Sequence, residues 1–128
     1  MSTLKVNNLQ DINGANNSTP EQVAQGRAKA WINFTGSGTV AIKDSFNVSS
    51  ITDIGVGNYG VTFSNNMAND DYAVNITGSV SPFANGTHGV PYSSGLFTSN
   101  FTMKFFADNG SGNVTDKNDV SCSVFGDQ

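Results

Sequence analysis

The side chains able to do acid–base, nucleophilic or metal chemistry are few: one histidine, one cysteine and ten carboxylates in 128 residues. His88 is the only histidine available as base for a serine or cysteine nucleophile, and no serine stands in a G-x-S-x-G turn that would expose its hydroxyl. Cys122, in DVSCSVF, shares its parity with Val120 and Val124, which makes it a small residue on the apolar face of a strand rather than a reactive thiol. A zinc site needs three or four close ligands, and a lone His and a lone Cys far apart in sequence do not supply them. Asp44, Asp53, Asp70, Asp71, Asp108, Asp116 and Asp119 fall mostly among turn-forming residues, where a carboxylate hydrogen-bonds nearby backbone. Residues 108–119, DNGSGNVTDKND, superficially resemble a calcium loop. Glycines, however, occupy the third and fifth ligand positions and no glutamate closes the segment, so a hairpin turn is the preferred reading. Phosphate-cradling glycine loops and heptads are missing as well. A polysaccharide depolymerase would need a carboxylate pair about 5 to 10 Å apart in a groove, and no such constellation is marked in the sequence. The expectation is a non-enzymatic protein with no catalytic residue, metal or cofactor.

Recognition is the chemistry that remains. Residues 81–94, SPFANGTHGVPYSS, carry two prolines, two glycines and three ring side chains, and are read as the longest loop. Phe83, His88 and Tyr92 are then candidates for a receptor-facing site, with Phe83 and Tyr92 placed to stack on the rings of a host-surface glycan. A solvent loop with its rings folded against its own base fits the same residues equally well.

The scaffold for such a loop is a set of short strands. Ala28, Ala30, Ile32 and Phe34 lie on one face of an extended segment, and Tyr59, Val61 and Phe63 on one face of another. Tyr72, Val74, Ile76 and Val80 alternate with small or polar residues, and Phe97, Phe101, Met103 and Phe105 do the same over 96–106. Strands are predicted at 28–34, 39–43, 46–51, 59–63, 71–80, 96–106 and 119–125, separated by turn signals such as TGSG, GVGN and SNN. The fold class is all-β, an antiparallel, jelly-roll-like β-sandwich of about seven to eight strands. One short helix precedes it at 20–25, with Thr19 as cap, Pro20 opening the first turn, Gln22 reaching back and Gly26 ending the helix in the left-handed region. Leu4, Val6, Leu9 and Ile12 fit neither strand nor helix spacing, and the Asn- and Gly-rich INGANNS that follows reads as a linker. Residues 1–26 are therefore an arm, linker and helix for docking, and residues 27–128 the sandwich.

Composition agrees with one charge-poor domain. Only 12% of residues are charged, and the net charge is −4. Lys5, Arg27, Lys29, Lys43, Lys104 and Lys117 are scattered, so no basic stripe is present to bind nucleic acid. The start, MSTLKVNNLQ, lacks the pattern of a secretory signal and no run of about 18 apolar residues occurs, so neither classical export nor membrane insertion is expected. The Asn-x-Ser/Thr triplets at Asn33, Asn75 and Asn100 lie inside predicted strands and follow from composition rather than glycosylation.

GRAKAWINF, GTVAIKDSFNVSSITDIGVGNYGVTFSNNM and YAV resemble a family of small bacteriophage virion proteins and tail-fibre terminal domains common in marine and cyanobacterial phages. STLKVNNLQD followed by STPEQ resembles the N-terminal segment of its short stand-alone members, and VSCSVFGD their closing strand; the resemblance weakens between residues 78 and 95. It implies a homotrimeric tail-fibre or appendage subunit on the virion, acting in adsorption, with no catalytic residue to carry over. The alternative is a capsid decoration (cement) protein clamping shell subunits. In either case other virion proteins are the partners of the arm, through Lys5 and the apolar Leu4, Val6, Leu9 and Ile12. Deleting residues 1–18 is expected to leave the far-ultraviolet circular dichroism of a folded β-domain; an unfolded spectrum would erase the division between arm and sandwich.

Overall fold

The computed structural model describes residues 1–15, 17–80, 84–107 and 112–128, and of residues 80 and 84–94 the backbone alone. An exposed arm leads into α1 (Pro20–Gly26), followed by β1 (Ala30–Thr35), β2 (Ala41–Phe46), β3 (Val48–Gly55), β4 (Asn58–Phe63), β5 (Ala73–Val80), β6 (Ala84–Phe97), β7 (Asn100–Phe105) and β8 (Asp119–Phe125). The helix begins as its sequence dictates. Thr19 Oγ1 accepts from the Gln22 amide at 3.2 Å, Gln22 Oε1 accepts from the Thr19 amide at 2.8 Å, and Pro20 opens the first turn. Its end differs from expectation: the helix runs through Gly26 and stops at an extended Arg27 with φ −91° and ψ 144°. The extended Arg27 leads the chain toward β1 without a left-handed residue, and the Gln25 amide group donates to the Asp127 carboxylate, fastening the helix to the C-terminal end.

The eight strands make two four-stranded antiparallel sheets, β2-β1-β8-β5 and β6-β7-β4-β3, packed as a sandwich. Like a jelly roll it has two antiparallel sheets of four, here connected largely by local hairpins, with β8 inserted between β1 and β5 and β7 beside β4. Register across β1, β8 and β5 is continuous: Ile32, Cys122 and Ile76 stand in one row facing inward, and Trp31, Ser123 and Asn75 in the next row facing outward. On the second sheet Tyr59, Val61 and Phe63 of β4 meet Phe101, Met103 and Phe105 of β7, and all six are buried. Each large apolar side chain taken out of water there contributes roughly 1.5–3 kcal/mol. Met67 and Tyr72 complete the core, with the rings of Phe63 and Tyr72 edge to face at 5.8 Å between centroids.

Three local expectations are corrected by the architecture. Residues 84–94 are not loop but the greater part of β6, which pairs with β5 through Thr77↔His88 and Gly78↔Thr87 and then with β7 through Val90↔Lys104 and Leu96↔Phe101. A strand that leaves one sheet for the other lies on an edge, where Pro91 and the irregular register between Pro91 and Leu96 are tolerated. The single strand predicted over 96–106 is two strands, broken by a Thr98–Ser99 turn with Phe97 opposite Asn100. That turn interrupts the alternation, so Phe97 is 53% exposed rather than in the core.

The third correction is at the other edge. The boundary between the second and third strands is not between 43 and 46 but at Asn47, which adopts φ 55° and turns the chain from the first sheet into the second. Asparagine tolerates this left-handed conformation better than most residues. Its side chain holds the corner: Nδ2 donates to the Lys29 carbonyl at 3.0 Å and the Asn65 carbonyl at 3.1 Å, and Oδ1 accepts from the Asn65 amide at 2.7 Å. Asn47→Gly keeps the backbone free to turn but loses these bonds, and is expected to lower unfolding stability by about 1–3 kcal/mol. Asn47→Ala is expected to cost about 1 kcal/mol more for the left-handed backbone. Urea unfolding of both variants measures the difference; equal stability to the wild type would remove Asn47 as the corner post.

Candidate functional site

The arm carries the first of two candidate surfaces. Asp11 Oδ1 accepts from the Asn13 and Ala15 amides, and Leu9 and Ser18 exchange backbone hydrogen bonds at 2.8 Å, so the linker doubles back and brings the arm beside α1. Leu4, Val6 and Leu9 thereby join Lys5, Asn7, Pro20 and Val23 around an open hollow of about 510 Å³. Leu4 is 81% exposed, and Val6, Leu9 and Val23 also remain open to solvent. Ile12 is fully exposed and stands outside that hollow. The four predicted docking residues are thus all on the surface, and three of them converge.

The predicted receptor-facing residues are placed differently from expectation. His88 lies within β6 opposite Thr77, and Tyr92 lies in the same strand, in the irregular stretch between Pro91 and Leu96. Phe83 and the side chains of His88 and Tyr92 lie outside the described residues. The described exposed aromatics, none of them proposed as a site from the sequence, include Trp31 and Phe46, cross-strand partners at the edge of the first sheet, Phe97 at the end of β6, and Phe106. Phe97 lines a second hollow of about 510 Å³ together with Asp70, Thr98, Ser99 and Asn100. The FTSNF sequence held the signal for this turn, since Thr, Ser and Asn together between two phenylalanines favour a chain reversal over a continuous strand.

The carboxylates mostly do backbone work, as turn chemistry predicts. Asp53 Oδ1 accepts from the Gly55 amide at 3.1 Å, Asp44 Oδ1 from the Ser45 amide at 2.8 Å, and Asp116 Oδ1 from the Gly57 amide at 2.7 Å. Asp119 pairs instead with Lys43 across β1, and Asp108 lies outside the described residues. Among the described residues no group of three His, Cys, Asp or Glu side chains is placed to hold a metal ion, and no helix is long and apolar enough to cross a membrane. No protein-family model, curated protein or solved structure matches the chain.

Burial holds three side chains, Cys122, Tyr59 and Tyr72, in their neutral forms. Cys122 is buried, with Sγ 3.6 Å from Met103 Sδ, and desolvation pushes its thiol up to about 12. Desolvation likewise raises Tyr59 and Tyr72 from about 10 to about 12. Each group holds its proton more tightly folded than unfolded, so its contribution is intact below its unfolded value and is lost as pH rises toward the folded one. The urea midpoint is therefore expected to fall between about pH 9 and 12, and Cys122 to resist a thiol reagent until the chain unfolds. Rapid labelling of the native protein at pH 8 would contradict the buried thiol.

Proposed function

We propose that the chain is a non-enzymatic bacteriophage virion protein, a tail-fibre or appendage subunit that takes part in adsorption to the host surface. The observation that carries this reading is the separation of arm from core. Every residue of the buried apolar cluster lies between Ala30 and Val124, while Leu4, Val6, Leu9 and Ile12 stay exposed. A sandwich that completes its core alone has no use for an apolar arm in water. Seated on a partner, each such side chain contributes roughly 1.5–3 kcal/mol when fully covered, enough for a few residues to anchor a small domain.

Symmetry fits the same surface. A charge-poor sandwich can bring copies of itself together without stranding buried charges, and the exposed Phe46, Ile54 and Val56 lie on or beside edge strands β2 and β3, where neighbouring subunits would meet. The assembly proposed is a homotrimer held to other virion proteins by its arms, with the opposite surface turned toward a host glycan. The resemblance of residues 26–34, 38–67 and 120–127 to small phage virion and fibre-tip proteins supports the setting.

Locating the chain in a cryo-electron-microscopy map of the particle tests this directly. Trimers on the tail with the arms proximal are the expected result. Density across the capsid axes would replace adhesion with the role of a decoration protein, and particles assembled with a chain lacking residues 1–18 are expected to lack that density.

A further inference from the structure

The second hollow is built on a turn that cannot easily move. The carbonyls of all four residues from Phe97 to Asn100 are engaged: the Tyr72 hydroxyl lies 3.0 Å from both the Phe97 and Asn100 oxygens, the Met67 amide donates to Thr98 at 2.8 Å, and the Phe63 amide donates to Ser99 at 2.9 Å. Tyr72 is itself buried in the core, so the turn is tied to the interior of the sandwich. With the backbone held from inside, the side chains are presented outward. Phe97 offers a half-exposed ring, and the exposed Asp70 carboxylate lines the same hollow. The Asn100 amide donates to Ser99 Oγ at 3.0 Å, which fixes the amide plane and leaves its oxygen as an acceptor.

We propose that this hollow is a saccharide subsite, in which Phe97 stacks on the apolar face of a neutral sugar ring and Asp70 and Asn100 bind its hydroxyls. The chemistry is complementary in each part. The ring's negative face attracts the C–H groups of a pyranose, a carboxylate accepts short charge-assisted bonds from adjacent hydroxyls, and a hollow of about 510 Å³ has room for one or two rings. Among the described residues no lysine or arginine lines the hollow and Asp70 does, which disfavours phosphate, sulfate or uronate ligands. The site is open and shallow, so affinity per site is low and useful adhesion comes from several copies acting together.

The subsite deepens the adsorption reading and rests on it for its biological role, but it can be tested apart from it. The full chain, labelled with nitrogen-15, is titrated with methyl α-mannoside, methyl β-galactoside or N-acetylglucosamine to about 50 mM, a range suited to millimolar binding. Amide shifts confined to Asp70 and Phe97–Asn100 are expected with at least one sugar, weakened at least about tenfold in Phe97→Ala and reduced in Asp70→Asn. Both side chains are exposed, so both variants should keep the wild-type spectrum elsewhere. No shift at those amides with any of the three sugars, unchanged shifts in Phe97→Ala, or tighter binding of glucuronate would overturn the proposal. Adsorption of particles carrying Phe97→Ala reports on the adhesion reading separately: sugar binding lost in the isolated chain with normal adsorption would leave the subsite standing and remove its role in attachment.

Discussion

The Tyr59 hydroxyl is the contact on which the rest of the sandwich depends. Tyr59 belongs to β4 in one sheet, is completely buried, and packs edge to face on Phe34 of the opposite sheet at 5.2 Å and on Phe105 beside it at 6.1 Å. Its hydroxyl donates to the Gly36 carbonyl in the β1–β2 connection, lies 3.2 Å from Asp116 Oδ1, and is 3.4 Å from the Lys117 amide. One phenol thus links the second sheet to the turn that leaves β1 and to the segment that enters β8. The approach leaves no room for a side chain at Gly36, where a Cβ would sit 2.8 Å from the phenol oxygen and 2.7 Å from the Lys117 carbonyl. Asp116 extends the tie by accepting from Gly57, whose φ of 61° and close contact with the Thr115 backbone only glycine accommodates. A polar group this deep is costly unless satisfied, so a network that satisfies it also selects one relative placement of the sheets.

With that placement set, the two sheets are linked at both sides. On one side Asn47 carries the chain from β2 into β3, and on the other β6 pairs first with β5 and then with β7. Open sheet edges invite pairing with other chains, and corners of this kind shorten them. What remains outside is a charge-poor surface whose apolar and aromatic features include the arm, the Trp31–Phe46 pair, Ile54 and Val56 at the β3 edge, and the turn at Phe97. The described interior is filled largely by aromatic and aliphatic side chains, so the two hollows both lie on the surface.

Much of this was legible in the sequence because it depends on local rules. The capping box from Thr19 to Gln22 and the alternations at Ile32 to Phe34, Tyr59 to Phe63 and Val120 to Val124 are set by neighbours two to four residues away, and each appears as read. β6 was missed because a strand shared between two sheets has no single inward face, so its glycines, Pro91 and mixed polarity resemble a loop. Phe97 was misassigned for a related reason, since a turn of only two residues leaves Phe97 at the same sequence parity as Phe101, Met103 and Phe105 while reversing the chain between them. The arm's apolar residues were readable as exposed because they fit no period. The hollow was not, because Asp70 and Phe97 meet only after Tyr72 and Met67 carry the β5 approach against the β6–β7 turn.

The same arrangement would let a small domain serve the proposed assembly and recognition roles without compromise between them. The arm's hydrogen-bonded fold-back and α1 lie N-terminal to the strands, and the helix reaches the sandwich through Gln25 and Asp127 at its C-terminal end, outside the core cluster. Covering the arm on a partner therefore demands no rearrangement of the Tyr59 network. The Phe97 turn, by contrast, is held by Tyr72 and Phe63 from within the core, so its shape is set when the sandwich folds. For the proposed binding role rigidity there matters more than strength: a preformed shallow surface loses little entropy on each contact, and repetition on a particle would multiply weak contacts into firm attachment. A flexible loop in its place would have to be ordered anew at every copy, and that cost would grow with the number of contacts in step with the gain.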